Sequence, residues 1–262
     1  MTFLAMIIAL SLHQVIQPGS FLQRDVWLFQ WDKAVAARIS NEAARTLITL
    51  GVVVLVIIWA LSVIDDWLFG LAELLATAGL FVWSLGRDDF HTALERYEAR
   101  VAVDSQGACD ALGNIWAPLS LESDSSAETV ALQRLIYSGY ARWFAPLFYF
   151  VVGGAPLAVL YRGLSLLSAS EGSPVYLRVL RWADWMPARV LGLTFALSGD
   201  FLAVSKRAPL AHLTDMTKAP QLLLELAGVA CNSVGGARVL GDILYRSAGL
   251  WLVALSAVLI LG

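Results

Sequence analysis

Two short blocks of this sequence hold the side chains best suited to bind a ligand within an apolar setting. They are Tyr161-Arg162 and, about twenty residues later, Asp184-Trp185-Met186-Pro187-Ala188-Arg189. An arginine at membrane depth costs about 2.5 to 3.5 kcal/mol on insertion scales, so it turns into a bundle, pairs with an acid or snorkels to an interface. Arg181 precedes Asp184 by three residues and reaches it on the same helix face, which gives one reading: an internally neutralised pair that locks two helices. The other reading is a polar pocket built from Arg162, Asp184 and Arg189, in which guanidinium groups grip a carboxylate or phosphate bidentately. Arg178, Arg181, Trp185 and Arg189 recur at i, i+3, i+7 and i+11, a polar stripe on the otherwise apolar stretch from Val175 to Val204, which Pro187 is expected to bend.

Other chemistry finds little support. His13, His91 and His212 stand alone in separate segments, and Cys109 and Cys231 lack a second thiol at ligand spacing, so no metal site is expected. Gly153-Gly154 has neither the spacing nor the lysine of a phosphate loop and reads as a helix break and a point of close helix packing. Asp88, Asp89, Glu95 and Glu98 read as a solvated helix face among Arg96 and Arg100. No nucleophile elbow or Cys-His arrangement is present, and no motif declares an enzyme or names a cofactor. The net charge of −3, with no run of like charges, gives nucleic-acid binding no support.

The elements that must position these residues are membrane helices. Thr46 to Ile64 and Trp67 to Leu85 are unbroken apolar runs separated only by Asp65 and Asp66. At about 1.5 Å per residue each is long enough for a hydrocarbon core of about 30 Å. Inside lipid the backbone must satisfy itself, so the runs are expected to form a helical hairpin with an acidic extramembrane turn. The chain is 58% hydrophobic with a mean hydropathy of +0.69, yet 15% of its residues are charged. About half of it is therefore expected to span.

The expected architecture is all-α: a polytopic helical membrane protein with five or six spanning helices, forming a single domain over residues 1–262. Met1 to Ile16 lacks a basic leader and a convincing cleavage site, and reads as a short span, or else a segment tucked against the bundle, and not as a removed signal peptide. Phe21 to Arg45 carries Trp27, Phe29 and Trp31 with Arg24, Lys33, Arg38 and Arg45, an interfacial cytoplasmic segment. Residues 87–142 form a cytoplasmic helical insertion. Its first helix sets Phe90, Leu94, Tyr97 and Val101 on one face, and its second opens on a capping box of Ser125 and Glu128 and runs through Tyr137. Trp143 to Leu167 is a span broken at Pro146 and at Gly153-Gly154-Ala155-Pro156. Residues 205–246 form a second cytoplasmic segment, and Ser247 to Leu261 a last span. Arginine-rich segments inside and the Asp65-Asp66 turn outside follow the positive-inside rule.

The run Ala145-Pro146-Leu147-Phe148-Tyr149-Phe150-Val151-Val152-Gly153-Gly154-Ala155-Pro156-Leu157-Ala158-Val159-Leu160-Tyr161-Arg162, followed by Asp184-Trp185-Met186-Pro187-Ala188-Arg189, resembles the AmpE and CobD/CbiB superfamily of bacterial inner-membrane proteins. The CobD/CbiB branch attaches an aminopropanol group in cobalamin synthesis and carries Glu-Asn and Asp-Gly pairs before the Ala-Pro-Leu-Phe block. Here the corresponding stretch, Ile136 to Phe144, lacks those acids, and Ser165 stands where that branch has an asparagine. The chain is thus similar to the AmpE branch.

That resemblance implies a multi-pass bacterial inner-membrane regulator linked to β-lactamase induction and cell-wall recycling, with Tyr161, Arg162, Asp184, Trp185 and Arg189 as matching positions that could line a shared pocket. The expected partners are the lipid bilayer and an anionic small molecule, a muropeptide or a nucleotide. The alternative is a membrane-embedded enzyme on the CobD-like scaffold with a different substrate. A transporter would need an inverted repeat, and the two halves show no convincing similarity. Gly153-Gly154 and Gly235-Gly236 admit close packing within one chain or in a homo-oligomer.

Overall fold

The structure, a computed structural model, describes residues 6, 8–9, 25–64, 70–85, 90–101, 127–171, 173–207, 219–231 and 236–261. Helix is the only regular secondary structure among the described residues. In chain order the helices are α1 (Val26–Ala36), α2 (Glu42–Ile64), α3 (Leu71–Ser84), α4 (Phe90–Val101), α5 (Ala127–Gly139), a π-helical turn (Tyr140–Phe144), α6 (Ala145–Glu171), α7 (Pro174–Ser198), α8 (Phe201–Arg207), α9 (Ala219–Ala230) and α10 (Ala237–Leu261). They form two compact units, one drawn from Met1–Arg87 and Ala145–Leu180, the other from Asp88–Phe144 and Arg181–Gly262.

In the first unit α2 and α3 both pack on α6, and α1 packs on α2. Asn41 starts α2 by accepting hydrogen bonds from the amides of Ala43 and Ala44 at 3.0 and 3.3 Å, which satisfies donors that have no partner in a first helical turn. Only Thr46, Thr49 and Leu50 of this 23-residue helix are buried. Leu55 and Trp59 are 66% and 67% exposed, and Ile58 and Val63 join them. So large a contiguous apolar surface is stable against lipid and a liability in water. Of the second apolar run, the structure describes helix α3 over Leu71–Ser84, preceded by Gly70 at φ 80°. Its 14 residues rise about 21 Å. The Asp65-Asp66 turn and almost all of the first apolar segment lie outside the described residues.

The span from Trp143 onwards breaks at Gly153-Gly154, where the sequence placed a break. Gly154 has φ 70° and ψ −164°, a region of backbone space that only glycine enters readily. Gly153 is exposed, and a Cβ there would meet the side chain of Leu157 in the same helix, so this pair makes a bend and not the close helix packing expected of it. Upstream, α5 passes into α6 through the π-helical turn, leaving Glu128–Ala169 as a 42-residue stretch of apolar helix.

In the second unit α5 packs on α9, α10 and α4. Phe90, Leu94 and Tyr97 of α4 are buried as their spacing predicts, whereas Val101, at the helix end, is exposed. Two expected boundaries move. The helix read from Val175 to Val204 ends at Ser198, because Gly199 lies so close to α9 that a Cβ would sit 2.3 Å from the Ala230 carbonyl oxygen. The Asp200 amide donates to that same carbonyl at 2.9 Å, and the Asp200 side chain caps α8 at the Ala203 amide. The last helix starts at Ala237, ten residues before Ser247, because Leu240, Ile243, Leu244 and Ser247 form a buried stripe while Arg238, Asp242 and Arg246 point outward. Within the span expected to be the second cytoplasmic segment, α9 is an apolar helix with Leu223 and Ala227 fully buried. Ser125, the expected capping residue of α5, and Gly235 lie outside the described residues.

Among the described residues three helical stretches are long and apolar enough to cross a membrane: Glu42–Ile64, Glu128–Ala169 and Ala237–Ala257. Replacing Gly154 with Ala is expected to destabilise the protein by about 1 to 3 kcal/mol through the forced φ. Gly51→Ala, where a Cβ meets nothing within 4 Å, should leave the detergent-solubilised melting temperature unchanged or slightly raised.

Candidate functional site

Each unit contains a well-buried aspartate held by side-chain donors from distant parts of the sequence. In the second unit this is Asp184, on α7. The Tyr137 hydroxyl donates to Oδ2 at 2.7 Å, and the Tyr140 hydroxyl lies 3.1 Å from Oδ1 and 3.3 Å from the Asp184 carbonyl oxygen. The two tyrosine rings lie 5.5 Å apart, and both side chains are essentially inaccessible. Tyr137 belongs to the last turn of α5, and Tyr140 opens the π-helical turn, a local widening often found at functional positions. Arg181, the neighbour expected to neutralise Asp184, is exposed, as is Arg178. The stripe drawn from the sequence therefore divides: its first two members face outward, Trp185 is half-buried, and Arg189 is buried.

Arg189 folds back along its own helix. Its Nη1 donates to the Trp185 carbonyl at 2.8 Å, and its guanidinium carbon lies 4.6 Å from the centre of the Trp185 ring, a cation–π contact. Pro187, between them, lacks the amide that would close the helix onto Ala183. The helix nevertheless continues through it to Ser198. Its far end is tied to α10 by the Trp251 indole, which donates to Thr194 Oγ1 at 3.0 Å, and by Ser198 and Ser247, whose hydroxyl oxygens lie 3.1 Å apart. Arg142, in the π-helical turn, is also buried. Two guanidinium groups and one carboxylate are thus withdrawn from the surface in this unit.

Of the five residues singled out from the sequence, Asp184, Trp185 and Arg189 belong to this second unit, and Tyr161 and Arg162 to the first. Tyr161 is buried and stacks on Tyr149 with ring centres 5.3 Å apart, and Arg162 beside it is also buried. Sequence reasoning missed Tyr137 and Tyr140. They lay in plain view in Ile136 to Phe144, but that stretch was weighed only for the acids it lacks, and nothing in a local pattern announces a partner 44 to 47 residues away.

The first unit holds a second cluster that the sequence did not reveal. Asp32, on α1, is 0% exposed, and Arg45 of α2 grips both of its oxygens, Nε at 3.1 Å from Oδ1 and Nη2 against Oδ2. Thr49 donates to Oδ1 at 3.1 Å and Tyr176 at 2.6 Å, while the Trp31 indole donates to the Thr49 carbonyl at 3.2 Å. Burial opposes ionisation of Asp32, but the Arg45 guanidinium together with the Tyr176 and Thr49 hydroxyls outweighs it and holds the carboxyl below its usual value. Lys33 and Arg45 had marked this segment as interfacial, whereas its acid is the residue that fixes α1 to α2. Among the described residues no group of three His, Cys, Asp or Glu side chains gathers, so none is assigned to a metal.

The fold and its buried polar clusters define an all-helical protein with helices of membrane-spanning character. Residues 1–234 match the family described as "Regulatory signalling modulator protein AmpE", and the chain belongs to that family. No curated protein and no solved structure matches it.

Two predictions follow from the clusters. Asp32→Asn is expected to cost about 3 to 5 kcal/mol by stripping a largely buried Arg45 of its counter-ion. Because the folded-state carboxyl titrates below its unfolded value of about 3.9, its stabilisation is complete above that pH and disappears as pH falls through the folded value. Thermal melts of the wild type from pH 7 to pH 3 should show that acid-dependent loss, and Asp32→Asn should flatten it. In the other unit, Tyr137→Phe removes a buried hydroxyl donor from Oδ2 of Asp184, a loss of about 1 to 3 kcal/mol. Its combination with Asp184→Asn should be clearly less than additive in the same melts.

Proposed function

We propose that this chain is a multi-pass inner-membrane regulator linked to β-lactamase induction and to sensing of cell-wall recycling, and that it acts by binding and not by catalysis. The observation that carries this reading is the AmpE family match over residues 1–234. Three long apolar helical stretches and the largely exposed apolar surface of α2 support a membrane setting. The distribution of arginines supports a cytoplasmic location for the segments at 87–142 and after residue 205, with the Asp65-Asp66 turn on the opposite side.

For the ligand, the second unit offers the better chemistry. Asp184 is already held by two tyrosine hydroxyls, while Arg142 and Arg189 add two guanidinium groups in the same low-dielectric unit. Guanidinium is always charged and presents its donors in a planar fork suited to carboxylate or phosphate. The site is read as taking an anionic small molecule, a muropeptide or a nucleotide, with Arg189 as its principal contact and Trp185 supporting the guanidinium from below.

The test is β-lactamase induction in cells whose chromosomal copy carries Arg189→Ala, measured with the amount of protein in the membrane fraction. Induction is expected to shift severalfold at an unchanged membrane level. Normal induction by a fully inserted variant overturns the pocket. Normal induction after deletion of the whole gene overturns the regulatory reading.

A further inference from the structure

The first unit contains an apolar groove of about 850 Å³ between α2 and α3, and nothing in the AmpE assignment gives it a role. Its walls are hydrocarbon, and its indoles gather at one end: Trp27 and Trp31 come from α1, and Trp83 from the end of α3. Trp27 and Trp83 pack on each other at 5.6 Å. Trp31 is tied by its indole N–H to the Thr49 carbonyl, so this end is fixed near the start of α2. From there the groove follows α2 from Val52 to Ile64, twelve residues and so about 18 Å. That length matches one leaflet of a bilayer, roughly half of a hydrocarbon core of about 30 Å.

Small residues line both walls, Gly79 and Ala76 on α3 and Ala60 on α2. A Cβ at Gly79 would meet nothing within 4 Å. The segment that supplies Trp27 and Trp31 also carries two exposed cations, with Asp25 and Glu42 as the acids on either side of them. Lys33, on α1, and Arg38, just beyond it, are exposed. Indoles and cations at one end of an apolar channel reproduce the polarity gradient of an anionic amphiphile entering a bilayer.

We infer that the groove between α2 and α3 holds one acyl chain of an anionic phospholipid, with its headgroup at the level of Trp27, Trp31 and Trp83 near Lys33 and Arg38. The inference rests on the membrane setting proposed above, and the experiment separates the two.

The full chain is reconstituted into phosphatidylcholine vesicles containing phosphatidylglycerol with a mid-chain diazirine, and adducts are mapped by mass spectrometry after irradiation. A matched set carries the diazirine on phosphatidylcholine. Release of the native protein from its membranes by alkaline carbonate would overturn the membrane setting itself. With the protein retained, adducts from phosphatidylglycerol are expected at Val56, Ile57 and the residues flanking Gly79, about tenfold above those at the free-facing Leu55 and Trp59. They should fall to the free-face level in Gly79→Leu. Ala60→Leu, which narrows the groove from the other wall, should do the same, so failure of one variant to insert leaves the other to decide. Even labelling around α2, or cross-links from the groove to a second copy of the chain, overturns the lipid assignment. Equal labelling by the two lipids overturns the choice of an anionic headgroup.

Discussion

A carboxylate withdrawn from water is stable only where donors replace its hydration, and both units of this protein are organised by that requirement. Asp32 collects Arg45, Thr49 and Tyr176, and Asp184 collects Tyr137 and Tyr140. Apolar side chains give helices within lipid little preference for one partner or register, since hydrocarbon outside the protein is as good a solvent as hydrocarbon inside it. The aspartates supply that missing specificity. Asp32 fixes where α1 lies along α2, and Asp184 fixes which face of α7 meets the junction of α5 and the π-helical turn.

The two clusters solve the problem with different chemistry. Asp32 is neutralised by an arginine that grips both oxygens, so its charge is cancelled where it stands. Asp184 accepts from the hydroxyls of Tyr137 and Tyr140, and the buried guanidinium of Arg189 lies over Trp185, one residue along the helix. A site of the first kind behaves as a rivet. The second kind combines oriented hydroxyls with buried cations and is the better starting point for recognising an anion.

Much of the fold was legible because it is written in local patterns. The Gly153-Gly154 break, the stripe of Phe90, Leu94 and Tyr97, and the long apolar run of α2 each follow from residue type and spacing alone. Helix ends were less legible. Ser198 is terminal because Gly199 meets the Ala230 carbonyl, a contact across 31 residues that no periodicity records. Of the candidate site, Asp184 and Arg189 were identifiable as charges placed among apolar residues, but their surroundings were not. Arg181 was the natural partner by helical spacing, and tertiary packing supplied two tyrosines in its place. Asp32 was overlooked for the opposite reason: among basic and aromatic neighbours at a presumed interface, a single acid carries no anomaly.

The exposed bend at Gly153 also constrains how the long apolar stretch sits across a bilayer. A straight helix of 42 residues would stand about 63 Å tall, roughly twice the hydrocarbon thickness. The helical dihedrals fail at Gly153 and Gly154, and Gly153 is on the outside of the protein. Non-helical backbone is disfavoured among acyl chains, so an exposed break of this kind suits the headgroup level or a wet crevice better than the hydrocarbon core. Two glycines are therefore a plumb mark against which the depth of that stretch can be gauged.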